Sequence, residues 1–153
     1  MTAEVDPQVA AIVANFVKEG LYPETGLFPT PQQWKALLEA PAQGRIHFVS
    51  FFKFAPGCVP TVEQMDWKGT PEEEQGVVEK WKKLGVKELA LSQHLFTLVG
   101  EDNGDWDMIR VIEFANRDAF VQFYTDPAHY LPMKGQDVLV KQRTIIARDL
   151  RSL

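Results

Sequence analysis

Residues Arg45 to Phe54 read RIHFVSFFKF, and as a strand this segment is apolar on both faces. Successive side chains alternate across a strand. One face then carries Ile46, Phe48, Ser50, Phe52 and Phe54, and the other His47, Val49, Phe51 and Lys53. A sheet resting on a single core alternates apolar and polar residues instead. Something must cover the second face, so the rest of the chain has to be read for a cover.

The length of 153 residues suits one domain with a moderate core. A net charge of −5 with no basic cluster speaks against a nucleic-acid partner. No apolar run is long enough to span a bilayer, and the start MTAEVDPQ lacks the pattern of a signal peptide. A single cysteine, Cys58, excludes an internal disulfide framework and a cysteine zinc cluster. The composition leads us to expect a cytoplasmic protein with neither a membrane nor a nucleic-acid partner.

Before the opening segment, Val9, Ile12, Val13, Phe16 and Val17 recur at helical spacing behind an Asp6–Pro7 start. A second short helix is predicted after Thr30–Pro31, with Trp34, Leu37 and Leu38 on one face. Residues 1–44 thus read as a helical N-terminal extension to a domain spanning 45–153. Within that domain, strand one runs Ile46–Phe54. A helix capped by Thr70 follows, with Val77, Val78, Trp81 and Leu84 as its apolar stripe and Gly85 as its stop. Strand two is placed at Leu91–Val99 and strand three at Trp106–Phe114, joined through Asn103–Gly104, a strong hairpin signal. A helix over Asn116–Tyr124 and a last strand over Thr144–Leu150 complete the order βαββαβ.

This order predicts an α+β, ferredoxin-like fold, a four-stranded antiparallel sheet with both helices on one face. Strand three, like strand one, is apolar on both faces, so the uncovered face would be a large apolar patch. The expected cover is a second copy of the sheet in a homodimer; the N-terminal helices are the competing cover. Three stretches, HFVSFFKF, RVIEFANRDAFVQFYTDPAHY and RTIIARDL, resemble the dimeric α/β-barrel superfamily, in particular its small ferredoxin-like domains of unknown function. The resemblance covers Arg45 to Leu150. It implies relatives that include cofactor-independent monooxygenases, cyclases and isomerases, and haem-associated enzymes. It also implies a ligand held between sheet and helices.

A two-residue Asn103–Gly104 turn would set Leu98 opposite Ile109, Phe96 opposite Val111 and His94 opposite Glu113, with Thr97 facing Arg110. An imidazole beside a carboxylate can serve acid–base work, or can simply satisfy two polar groups in a core. His129 and Tyr130, in DPAHY, could move a proton for an aromatic substrate, or could face solvent. Arg110 could hold a substrate anion or pair with an interface acid.

The candidate catalytic residues are therefore His94, Glu113 and His129. The candidate substrate-binding residues are Tyr124, Tyr130, Arg110, Phe96 and His47. The three histidines show no close ligand spacing, so no metal site is expected. No phosphate-binding glycine loop, nucleophile elbow or Walker lysine is present, and no organic cofactor is expected. The function expected is binding of a small apolar or aromatic molecule, with or without acid–base turnover. The alternatives are a non-catalytic or stress-associated dimer and a haem-associated protein.

Overall fold

The structure, a computed structural model, describes residues 6–20, 28–59, 71–102, 104, 106–127 and 138–152. Asp6 caps α1 (Pro7–Lys18) by accepting the Gln8 backbone N–H at 2.8 Å. α2 (Pro31–Glu39) opens on a full capping box: Thr30 Oγ1 accepts the Gln33 amide at 3.2 Å, and Gln33 Oε1 accepts the Thr30 amide at 2.8 Å. There follow β1 (Ile46–Phe54), α3 (Pro71–Lys83), β2 (Lys87–Gln93), β3 (Met108–Phe114), α4 (Arg117–Tyr124), β4 (Leu139–Arg148) and a 3-10 turn at Leu150–Ser152. The Thr70 cap and the Val77 and Val78 side chains lie outside the described residues; Trp81 and Leu84 of the same stripe pack on the core. Beyond α3, Gly85 takes φ +67°, and a Cβ there would meet the Ala115 Cβ at 2.9 Å, so glycine is required for this close approach.

The sheet runs β2-β3-β1-β4 with every neighbouring pair antiparallel. Together with the element order, this is the ferredoxin-like α+β fold expected. Both edge strands depart from their expected bounds. β2 covers Lys87–Gln93 rather than Leu91–Val99, and β4 begins at Leu139 rather than Thr144. Edge strands carry charges that blunt unwanted pairing, and here Lys87, Glu88, Lys141 and Arg143 made strand sequence resemble loop. β3 begins at Met108, two residues later than expected.

The hairpin register changes as well. β2 pairs Leu91 with Arg110 and Gln93 with Met108, and shifts between Glu88 and Ala90. The expected pairs of His94 with Glu113, Phe96 with Val111, Leu98 with Ile109 and Thr97 with Arg110 therefore do not form. The connection leaves β2 at His94, whose amide donates to the Asp107 carbonyl at 2.9 Å. Lys53 turns back to this connection, with Nζ 2.9 Å from the Gly104 carbonyl and 3.3 Å from Asp107.

The first face of β1 is buried throughout: Ile46, Phe48, Ser50, Phe52 and Phe54. Phe48 lies against Phe120 and Tyr124 of α4, with ring centroids 5.7 and 6.3 Å apart. The N-terminal helices add a further layer on this same side. Trp34 meets Tyr124 at 5.7 Å, and Phe28 meets it at 6.5 Å. Arg117 Nη1 donates to the carbonyls of Leu38 at 2.8 Å and Ala40 at 2.7 Å, tying the end of α2 to the start of α4. The helices α1 and α2 are thus not the cover of the second face and instead thicken the helical layer. Val49, Phe51, Ile109 and Val111, on the other face, are half-buried and belong to neither buried cluster. No helix among the described residues is long and apolar enough to cross a membrane.

Trp34 is fully buried where α1, α2 and α4 meet. Trp34→Ala should lower stability by about 3–5 kcal/mol, read from the urea midpoint. Val17→Ala, at an exposed position of α1, should stay within about 0.5 kcal/mol. Equal effects would show that the N-terminal layer is not packed as described.

Candidate functional site

Two places gather chemistry, one on each side of the sheet. On the open face, β1 pairs with β3 so that His47 stands opposite Glu113. His47 Nε2 lies 3.0 Å from Glu113 Oε2, and both side chains are mostly buried. Arg45 Nη1 lies 3.9 Å from the other carboxylate oxygen. The carboxylate expected to orient a histidine does so, but its partner is His47 and not His94. The β1–β3 pairing of a ferredoxin-like sheet could have exposed this, because it brings two apolar-faced strands side by side.

His94 lies elsewhere, 3.2 Å from Thr97 Oγ1 in the β2–β3 connection. The Thr97 backbone N–H, 3.2 Å from Asp102 Oδ2, is the main cause that holds this exposed carboxyl below its ordinary value. The charge on His94 adds in the same direction. Phe96 in this connection is 65% exposed. Arg110 is on the helix side, 2.8 Å from Glu88 Oε2, so its acid partner comes from β2 of the same chain. Tyr124 is buried and belongs to the aromatic layer. His129 and Tyr130 lie outside the described residues.

On the helix side an open groove of about 820 Å³ runs between α2, α4 and the edge strand β4. Its apolar wall includes Trp34, Leu37, Phe48, Phe120 and Tyr124. Its polar wall is β4, with Gln142, Arg143 and Thr144. Thr144 Oγ1 lies 2.8 Å from Ser50 Oγ, a fully buried hydroxyl, and accepts from Gln142 Nε2 at 2.8 Å. This chain of hydrogen bonds holds the Gln142 amide in place. Its Oε1 and the Trp34 Nε1 are both buried without a hydrogen-bond partner among the described residues. At one end Lys141 Nζ sits 4.9 Å from the centre of the Trp106 ring, a cation–π contact. Of the groove residues, sequence reasoning singled out only Tyr124 as a site residue. Trp34 appeared only as a core residue of the extension, and Gln142 fell in a stretch that looked like loop.

His47 and His94 are separated by one substitution test. His47→Ala strips the mostly buried Glu113 of its hydrogen-bond partner and should cost about 1–3 kcal/mol. His94→Ala removes a bond at the edge of a connection and should cost under about 1 kcal/mol. Chemical denaturation of both variants checks the order.

No protein-family model and no curated protein matches the chain. Among solved structures it is similar to a protein of unknown function from Rhodopseudomonas palustris, at 20% identity over 82% of this chain and 97% of that one, with a TM-score of 0.59. The methylated form of that protein gives 22% identity over 82% and 96%, with a TM-score of 0.60. A weaker likeness, with a TM-score of 0.42 and 17% identity over 71% of this chain and 99% of the other, is to a dabb family protein with a ferredoxin-like fold from Mesorhizobium loti. At these identities the likeness concerns the fold alone.

Proposed function

We propose that this chain binds a small apolar or aromatic molecule bearing a hydrogen-bonding group, in the groove between α2, α4 and β4. One observation carries the reading: two buried polar atoms, Trp34 Nε1 and Gln142 Oε1, have no partner among the described residues, and both residues line the groove. An unpaired buried donor or acceptor costs about 1–3 kcal/mol. A ligand that accepts from the indole and donates to the amide carbonyl recovers that cost, while its apolar part displaces water from the aromatic wall. The described lining of the groove holds neither histidine nor carboxylate. This favours binding over acid–base turnover in the groove. A proton-transfer role rests on His129 and Tyr130, which lie outside the described residues.

The dye 8-anilinonaphthalene-1-sulfonate tests the groove, since its rings suit the aromatic wall and its sulfonate suits Arg143. A saturable signal of one dye per chain is expected. Ala36→Trp and Ile146→Trp, both at exposed groove positions, should each weaken it about tenfold, or 1.4 kcal/mol, with unchanged circular dichroism. Dye affinity untouched by both variants would sink the reading.

We also propose that the chain works as a homodimer through the second sheet face. Support comes from the apolar surface this single chain leaves uncovered. Ile145 on that face is half exposed, and in the β2–β3 connection Leu98 and Val99 are 84% and 86% exposed. Monomers rarely leave so many large apolar side chains open. Light scattering should give about 35 kDa, twice the 17.4 kDa chain. Ile145→Glu combined with Leu98→Glu should return the mass of one chain with the fold intact. A wild-type protein of single-chain mass at micromolar concentration would refute the dimer.

A further inference from the structure

The pairing of His47 with Glu113 has a third member. Asp149 follows β4 directly, and its amide donates to the Arg45 carbonyl at 2.9 Å, which continues the ladder beyond the strand. Glu113 of β3 stands opposite His47 of β1, and alternation along the ladder puts Asp149, beside Arg45 and two residues beyond the Ala147 that pairs with His47, on the same open face. One imidazole nitrogen and two carboxylate oxygens lie within 4.8 Å of one another, and all three residues are half-buried. From this we infer that His47, Glu113 and Asp149 form a binding site for a divalent first-row transition metal of the zinc or cobalt type.

The donor set selects the ion class. A mixed nitrogen–oxygen set suits zinc, cobalt or manganese, whereas magnesium and calcium prefer oxygen alone. Metal–ligand bonds of about 2.0–2.2 Å would place neighbouring donors roughly 3–3.5 Å apart. His47 and Glu113 already stand at 3.0 Å. The remaining gap is one for side-chain rotation to close, with Asp149, whose Oδ1 accepts the Arg151 backbone N–H at 2.9 Å, offering its other oxygen to the ion. Three protein ligands leave further positions on the ion for water or an outside ligand, as in catalytic rather than closed structural sites.

Arg45 modulates the site. Its guanidinium, 3.9 Å from Glu113 and half exposed, competes with a bound cation for the same carboxylate. The ligands lie at positions 47, 113 and 149, too far apart in the chain for any spacing rule to join them. The site is on the opposite face of the sheet from the groove and does not depend on it.

Titration of the full chain with Zn²⁺ by calorimetry, and with Co²⁺ followed by its visible absorption, tests the inference. We expect one ion per chain, not displaced by millimolar Mg²⁺, and a rise in melting temperature on binding. His47→Gln and Asp149→Asn should each weaken binding by at least about tenfold to a hundredfold, with circular dichroism unchanged. Arg45→Gln should tighten it about threefold. Two results would overturn the site: no binding to the wild-type chain at about 100 μM metal, or equal affinity in His47→Gln and the wild type.

Discussion

The ring of Tyr124 joins the two parts of this molecule. It packs at once against Phe48 of the central strand, Phe120 of its own helix, and Trp34 and Phe28 of the N-terminal segment. Most of these contacts are edge-to-face or tilted, the arrangement that aromatic quadrupoles prefer. An aromatic at this position lets the sheet, α4 and the extension share one core. The groove exists because that layer stops short of β4, leaving Phe48 and Tyr124 walled on one side by helix and on the other by an edge strand. Arg117 fixes the opening by holding the α2 carbonyls against α4.

Much of the fold was legible because its signals are local. The caps at Asp6 and Thr30 and the stop at Gly85 lie within a few residues of what they control. The full length of β1 followed from its unbroken apolar character. The edge strands were less legible for a physical reason. A central strand is apolar because it is buried, whereas an edge strand must be charged to stay unpaired. KELALSQ and LVKQRTIIAR therefore resemble surface, and the exposed HLFTLV resembles strand more closely than the true β2 does. The charge pattern at an edge conveys a neighbour's absence, which the residues of one strand cannot report.

The site was harder to read, because each of its groupings is long-range. Glu113 was read as the partner of His94, and the histidine it meets is His47. The choice of His94 depended on the length of one turn, and register errors move every side chain across the sheet. The bond from Glu113 to His47 spans a separation of 66 residues, and the one from Ser50 to Thr144 spans 94. Trp34 could be recognised as buried from helical spacing. That its indole N–H lacks a partner depends on what stands across the groove, which helical spacing does not encode.

The register of β1 separates these two chemistries. Its even-numbered side chains enter the aromatic core and frame the groove, while its odd-numbered ones carry His47 and the open apolar face. A slip by one residue would put His47 against Phe120 and Tyr124 and turn Phe48 outward. It would bury an imidazole among rings and leave Glu113 without its partner. Because β1 pairs on both sides, a slip would also break two ladders at once. The register shift between Lys53 and Phe54 against β4 comes only at the strand's end, beyond both sites. A central strand with two committed neighbours can therefore support a ligand groove on one face and a polar cluster on the other, and changes at one need not disturb the other.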